Sequence, residues 1–158
     1  MTIEAKLAEL GLALPEAAPP VASYVPAVEQ GGMLYISGQL PFINGQVMTG
    51  KVGDFTNPLG RTMEDGQIAA RACALMLIAQ MKAALGDLER VERIVKLGVF
   101  VASTPDFIQQ PMVANGASDL MEAVFGPAGK HARSAVSVPV LPLDATVEID
   151  AIVAVKPK

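Results

Sequence analysis

The stretch from Gly129 to Pro142, GKHARSAVSVPVLP, places an arginine at the start of an apolar strand. The chain's single histidine, His131, lies two residues before Arg133. A guanidinium in this position must be solvated, paired with an acid, or held ready for an anionic ligand. The following apolar stretch carries Glu148, so the sequence leaves open either an ion pair between Arg133 and Glu148 or an anion site.

Three further polar residues could line a ligand site or have routine structural roles. Tyr24 follows a proline pair, Ser37 precedes Gly38, and Asn115 lies inside a predicted helix. Asn115 is followed by Gly116, and two poor helix formers in succession need a reason beyond helix propensity.

Other kinds of chemistry have little support in the sequence. One histidine and one cysteine lie far apart and do not form a metal-ligand pattern, so we expect no metal site. The glycines form neither a Walker loop nor a dinucleotide-binding motif. Cys73 lies in the most apolar stretch, where a thiol stays protonated, so we expect it to be an inert core residue.

The composition predicts a single domain over residues 1–158 that associates with copies of itself. The chain is 51% hydrophobic and 18% charged, with a mean hydropathy of +0.40. Such a value suggests that other subunits cover part of the apolar surface. The net charge is −4 and the basic residues are dispersed, which argues against a nucleic-acid partner.

We expect a cytoplasmic protein without a membrane partner. A lone cysteine cannot form an internal disulfide, and the first residues, MTIEAKLAEL, contain no apolar leader segment. The longest apolar run, residues 72–79, is far shorter than the roughly 20 residues that a membrane span needs.

The first half of the chain predicts a helix and two hairpins. Residues 1–22 contain a short helix capped by Thr2 and an extended lead-in. Two strands around Gly31-Gly32 form a hairpin, and Asn44-Gly45 marks a second tight turn. Residues 49–62, rich in glycine, threonine and proline, are predicted to form a long loop.

The second half predicts two longer helices and three strands. A helix spans 63–85 and ends at Gly86, and another ends at Gly126. In the strand between them we expect Ile94, Lys96 and Gly98 to alternate with the intervening residues. In the last strand, alternate apolar residues from 147 to 155 face a core while Glu148 faces the other way. The pattern predicts an α+β fold whose two helices cover one face of a mixed sheet.

Two segments, YISGQLP and HARSAVSVPVLPLDATVEIDAIVAV, closely resemble the Rid family. These are the YjgF-like reactive intermediate (imine) deaminases, also called L-PSP endoribonucleases. The resemblance covers roughly residues 23–155. The N-terminal helix, the long loop and the segment FGPAGKHARSA resemble the longer branch of that family.

The resemblance implies a fold, an assembly and an activity. The fold is like that of the bacillus type of chorismate mutase, a mixed sheet backed by two helices, and it forms a homotrimer with ligand clefts between subunits. The implied activity is that of a 2-iminobutanoate/2-iminopropanoate deaminase, which hydrolyses enamines and imines such as 2-aminoacrylate to keto acids and ammonia. The resemblance implies no cofactor.

The resemblance also implies roles for individual residues. Arg133 matches the arginine that binds the substrate carboxylate, which suits a planar fork of donors. Glu148 matches the glutamate that positions the attacking water. Tyr24, Ser37 and Asn115 match positions that line the cleft. Where many members have a cysteine two residues after the arginine, this chain has Ala135, and His131 is left without a role.

Two alternatives to a deaminase stay open. The same trimeric clefts could bind small carboxylates without turning them over. An endoribonuclease is less favoured, because the chain has a negative charge and a single histidine. The preferred imine and the roles of His131 and of loop 49–62 are also open.

Overall fold

The computed structural model describes residues 1–20 and 22–158, and there it contains three α-helices and seven strands. The elements, in chain order, are α1 (Ile3–Glu9), β1 (Ala27–Gln30), β2 (Met33–Gln39), β3 (Phe42–Ile43), β4 (Gln46–Val47), α2 (Met63–Leu85), β5 (Val91–Ala102), α3 (Gln110–Phe125), β6 (Ala132–Val138) and β7 (Val147–Val155). Short 3₁₀ turns lie at Leu88–Arg90, Gly126–Gly129 and Pro142–Asp144.

The five longer strands form one mixed sheet in the order β1-β2-β7-β5-β6. Neighbouring strands are antiparallel except β5 and β6, which are parallel and connected through α3. Apolar side chains of α2 and α3 share one buried cluster with the sheet. Helices therefore cover one face, hereafter the helix face, and the other is the open face. This arrangement confirms the predicted α+β fold with a mixed sheet.

Helix α2 forms the centre of the core. Thr62 accepts a hydrogen bond from the Asp65 amide and the Asp65 side chain accepts one from Thr62, which begins the helix with a capping box. By length and composition α2 could cross a membrane, but 67% of its most apolar stretch is buried within the fold, as in a core helix. Cys73 is fully buried, and burial raises the pKa of its thiol well above the usual value, which confirms it as an inert core residue.

Close packing of α3 against α2 explains Gly116, the second residue of the unusual pair Asn115-Gly116. A Cβ atom at this position would lie 2.2 Å from the carbonyl oxygen of Gln67 in α2. The side chain of Gln67 also donates a hydrogen bond to the carbonyl of Met112, at 2.8 Å. The glycine thus lets the two helices approach closely, and this contact fixes where α3 lies relative to the sheet.

Strand β5 departs from the predicted alternation. Ile94 and Leu97 are both fully buried, although they are three residues apart, and Lys96 is exposed. On β7, Val153 lies opposite Ile94 and Ile152 lies opposite Lys96. Val95 is therefore an extra residue, so the expectation that Ile94 shares a face with Lys96 and Gly98 is wrong: a β-bulge reverses the alternation between them.

The predicted hairpin turn and long loop are both present. Asn44 and Gly45 have φ angles of 52° and 77°, the left-handed conformations that a two-residue hairpin turn needs. Loop 49–62 is largely irregular and is anchored by the fully buried Val52, whose backbone bonds with Ala102 and Thr104 next to the end of β5.

Candidate functional site

Arg133 lies on the helix face of the sheet, where α3 holds its guanidinium. In the parallel pair β5–β6 it lies beside the buried Leu97. Its Nη1 donates to Oδ1 of Asn115 at 2.9 Å and to Oγ of Ser118 at 3.1 Å, and its Nη2 donates to the carbonyl of Pro111 at 3.2 Å. All three acceptors are uncharged, so α3 orients the guanidinium without neutralising it.

Two donors of Arg133 are left for a ligand. A guanidinium has five N–H groups, and α3 uses three, so the Nε–H and one Nη2–H have no partner in residues 1–20 and 22–158. Donors on two nitrogens of one guanidinium form the fork that binds a carboxylate bidentately. Arg133 therefore has no acidic partner among the described residues, and its two free donors are available to water or to an anionic ligand.

Glu148 lies on the open face, away from Arg133. Glu148 is opposite Phe100 on β5, whereas Arg133 is beside Leu97 on the same strand. Phe100 and Leu97 are three residues apart, and an odd separation along a regular strand places side chains on opposite faces of the sheet. The alternative of an ion pair between Arg133 and Glu148 of the same chain is therefore wrong. No small substrate can contact both side chains within one copy.

The Glu148 carboxylate is half-buried and lies over a glycine. A Cβ atom at Gly38 would lie 2.6 Å from Oε1 of Glu148. Burial raises the pKa of Glu148, and the negative charge of Asp150, two residues along the same face, raises it further. Burial likewise raises the pKa of Asp150. A carboxylate with a raised pKa is a stronger base, which suits activation of a water molecule.

Tyr24 lies near Glu148, whereas the side chain of Ser37 bonds to the backbone just before β1. Tyr24 and Glu148 line a cleft of about 90 Å³ together with Gly38, Pro142 and Leu143. The Ser37 hydroxyl donates to the carbonyl of Val25 at 2.8 Å, and Ser37 is not among the residues that line this cleft. The predicted residues thus form two half-sites: Glu148 with Tyr24 on the open face, and Arg133 with Asn115 on the helix face.

The Arg133 half-site contains two residues whose roles the sequence left unassigned. Ser118 was not predicted, although it follows Asn115 at the i+3 spacing that places two residues on one side of a helix. His131 contacts Ser118 through Nε2, at 2.8 Å, and the carbonyl of Gly129 through Nδ1, at 2.6 Å. Ser118, His131 and Arg133 line one cleft of about 250 Å³ with Asp119, Glu122 and Lys130.

A larger cleft lies elsewhere. It has a volume of about 1000 Å³ and runs between the lead-in at 13–19, the turn at 42–45 and the outer side of α2. It contains none of the predicted site residues. Across the described part of the chain, no three histidine, cysteine or acidic side chains are grouped so as to hold a metal ion.

The fold agrees with the family comparison. The chain belongs to the family described as "YjgF/chorismate_mutase-like, putative endoribonuclease", whose profile matches residues 4–153. This confirms the resemblance inferred from the SGQLP and HARSAV segments.

Three similar proteins illustrate the range of the family. Protein TCP17 of Trypanosoma cruzi is 53% identical over 96% of this chain and 92% of its own length. A crystal structure of a protein of unknown function from Agrobacterium tumefaciens is 47% identical, with a TM-score of 0.88 over 98% of this chain and 92% of the other. The structure of E. coli TdcF with bound serine is 26% identical, with a TM-score of 0.63 over 90% and 94% of the two chains.

Proposed function

We propose that the protein hydrolyses imines and enamines of small 2-keto acids, with Arg133 binding the substrate carboxylate and Glu148 activating water. The observation that carries the proposal is the Arg133 guanidinium, which uncharged acceptors orient while two of its N–H groups stay available. The serine bound to TdcF is a small molecule with a carboxylate beside a nitrogen, the same pair of groups that a 2-imino acid carries.

The proposed reaction adds water to a carbon that is already electrophilic. Glu148 takes a proton from water as the oxygen bonds to the C=N carbon and returns it to the nitrogen, which becomes an amine. Glu148 then carries the hydroxyl proton of this adduct to the amine, the C–N bond breaks, and ammonia leaves as the C=O bond forms. The net reaction is imino acid plus water giving keto acid plus ammonia. 2-Aminoacrylate enters as its imine tautomer after gaining a proton on carbon.

The proposal needs a second copy of the chain, because Arg133 and Glu148 lie on opposite faces of one sheet. The open face also exposes about half of three apolar side chains, Val28, Tyr35 and Val136. We propose a homotrimer in which the Glu148 half-site of one copy meets the Arg133 half-site of its neighbour.

Mixed assemblies test this arrangement directly. Arg133→Ala and Glu148→Gln are each expected to be nearly inactive alone. When the two variants are co-expressed in equal amounts, random assembly joins an intact Arg133 to an intact Glu148 at about one quarter of the sites. Imine hydrolysis, followed by ammonia release in a coupled amino-acid oxidase assay, should therefore recover to about a quarter of the wild-type rate. Mixtures no more active than the separate variants would contradict a site shared between copies.

A carboxylate-binding trimer without turnover is the second candidate, and the same arginine supports it. The two candidates differ at Glu148. If Glu148→Gln binds pyruvate normally and the wild-type protein gives no imine hydrolysis, the second candidate, a carboxylate-binding trimer without turnover, is correct. A cytoplasmic location stays a prediction.

A further inference from the structure

We propose that His131, as the neutral imidazole, is a positioning residue that fixes Arg133 through the hydroxyl of Ser118. The inference rests on the proposed function, since it assumes that Arg133 binds the substrate carboxylate. It assigns a role to the one histidine of the chain, which the hydrolysis of the C=N bond does not itself use.

With the imidazole of His131 neutral, as proposed, the hydrogen-bond directions follow from what each atom can donate. The Gly129 carbonyl can only accept, so Nδ1 of His131 must carry the proton and donate across the 2.6 Å contact. Oγ of Ser118 accepts from Nη1 of Arg133 at 3.1 Å. The single hydroxyl proton of Ser118 is then available for the bare Nε2 of His131, 2.8 Å away. The three side chains form one directed chain of hydrogen bonds.

This chain of hydrogen bonds begins at the Gly129 carbonyl, which is a rigid point of the fold. A Cβ atom at Gly129 would lie 2.1 Å from the carbonyl oxygen of Met121, so the 3₁₀ turn packs closely against α3. The carbonyl that orients His131 is therefore fixed relative to the helix that carries Ser118. Rotation of the imidazole would break both of its contacts at once.

Loss of the imidazole would act on Arg133 indirectly. Without Nε2 as its acceptor, the Ser118 hydroxyl is free to rotate, and its lone pairs are no longer aimed at Nη1. The long arginine side chain then has fewer fixed contacts, and the fork made by Nε and Nη2 loses its fixed direction. Misaligned donors bind a carboxylate less tightly, because the interaction depends on bidentate geometry.

The test compares pyruvate affinity, measured by titration calorimetry, among four proteins. His131→Leu and Ser118→Ala should each weaken binding about ten-fold, since each breaks the same chain. The double variant should bind about as well as either single variant, because interactions that act as a unit are not additive. His131→Gln, which can place an amide oxygen near the position of Nε2, should keep most of the affinity.

Two controls separate positioning from general damage. Melting temperatures should show that all the variants fold, and if His131→Leu does not fold, Ser118→Ala decides. Binding of the uncharged pyruvamide should differ little among the variants, because the effect acts on the carboxylate fork. In turnover assays the variants should raise KM with little change in kcat, the result of losing binding that is equal in ground and transition states.

The results that overturn the inference differ from those that overturn the proposed function. Unchanged pyruvate affinity in Ser118→Ala and His131→Leu, or fully additive losses in the double variant, would exclude the positioning role. A wild-type protein that binds pyruvate but hydrolyses no imine overturns the proposed hydrolysis, and the affinity comparison still decides the role of His131. A wild-type protein that binds no carboxylate overturns both.

Discussion

Arg133 illustrates how neighbouring residues determine what a charged side chain can do. A buried or partly buried arginine usually has an acidic partner, which stabilises its charge and occupies its donors. Here the partners are an amide oxygen, a hydroxyl and a backbone carbonyl, and all of them belong to α3. The charge is therefore oriented but not neutralised, which is a requirement for binding an anion that must later leave.

Replacing Arg133 tests the role of the guanidinium fork. Arg133→Lys keeps the charge but loses the bidentate geometry, so kcat/KM for imine hydrolysis should fall by about ten- to a hundred-fold. Arg133→Ala should nearly abolish activity. Both rates should be measured beside melting curves of the same preparations. A lower melting temperature with unchanged kcat/KM would show that Arg133 is only structural.

Asn115→Asp tests the importance of uncharged partners with almost no change in shape. The new carboxylate would still accept the hydrogen bond from Arg133, but it would neutralise the guanidinium. Pyruvate affinity should fall by at least about ten-fold, since the ligand would compete with a covalently attached anion. The melting temperature should stay level or rise. Unchanged pyruvate binding in Asn115→Asp would argue against the carboxylate site.

The sequence indicated much of this site but not its geometry. The pair Asn115-Gly116 suggested a constraint inside a helix, and the structure gives each residue a reason: one holds Arg133 and the other admits the α2 backbone. Ser118 follows from helical spacing once Asn115 is known. The separation of Arg133 and Glu148 onto two faces depends on strand register, which side-chain alternation within single strands does not fix.

At the scale of elements, strand β7 combines a buried face with an acidic one. Its odd-numbered residues from 147 to 155 are buried, as predicted, and its even-numbered residues include Glu148 and Asp150. The alternation was predictable because β7 is regular along its whole length. In β5 the predicted alternation failed at Val95, because the sequence of this strand does not show where a β-bulge adds an extra residue. The C-terminal ends of α2 and α3 were predicted well, since Gly86 and Gly126 mark them, whereas α3 begins at Gln110 without a side-chain cap.

The acidic face of β7 predicts a pH dependence. Glu148 must be ionised to accept a proton, and its raised pKa means that activity should rise with pH through a midpoint above the usual glutamate value of about 4.3. Asp150→Asn removes the neighbouring negative charge, which lowers the pKa of Glu148, so the midpoint should move to lower pH. The pH profile of kcat measures this shift.

Glu9→Gln serves as the control for Asp150→Asn. It removes an equal charge from the exposed surface of α1, where Glu9 pairs with Lys6. The midpoint should not move in this variant. A midpoint that is also unmoved in Asp150→Asn would show that Glu148 is not the group that titrates.

The contact between α2 and α3 predicts an effect on stability. Gly116→Ala would force a methyl group against the backbone of Gln67, which cannot yield as a side chain can. Denaturant unfolding should show a loss of about 1–3 kcal/mol. Gly66→Ala is the comparison: its added Cβ would meet only the side chains of Val113 and Val52, at 3.0 Å or more, so the loss should be smaller.

At the scale of the whole molecule, no helix in the described part of the chain covers the open face of the sheet. Helices cover the helix face, while Val28, Tyr35 and Val136 on the open face are each close to half exposed. Val28 and Tyr35 are paired neighbours on β1 and β2, and Val136 lies on the opposite edge strand β6. Exposed apolar side chains on an uncovered sheet face usually mark a contact with another chain. The hydropathy of the sequence predicted a contact between copies, and the sheet order adds which face of the sheet the helices leave uncovered.

Light scattering tests the proposed trimer. The wild-type protein should have three times the mass of one chain at micromolar concentration. Tyr35→Glu should dissociate it, because the substitution places a charge on the apolar open face through which we propose the copies associate. Ile68→Glu changes an equally exposed apolar residue on the outer side of α2 and should leave the mass unchanged. A monomeric wild-type protein would remove the basis for a shared site.

Strand β6 lies at the edge of the sheet, which affects how an isolated copy of the chain aggregates. Among residues 1–20 and 22–158, β6 pairs with β5 alone, and between Ala132 and Val138 it has a single charged residue and no proline. Natural edge strands usually resist indiscriminate pairing with charges, prolines or bulges. An isolated copy would therefore offer other copies a strand on which to aggregate. We expect heating of dilute protein to end in precipitation that cooling does not reverse, so that the useful lifetime of a preparation depends on its concentration.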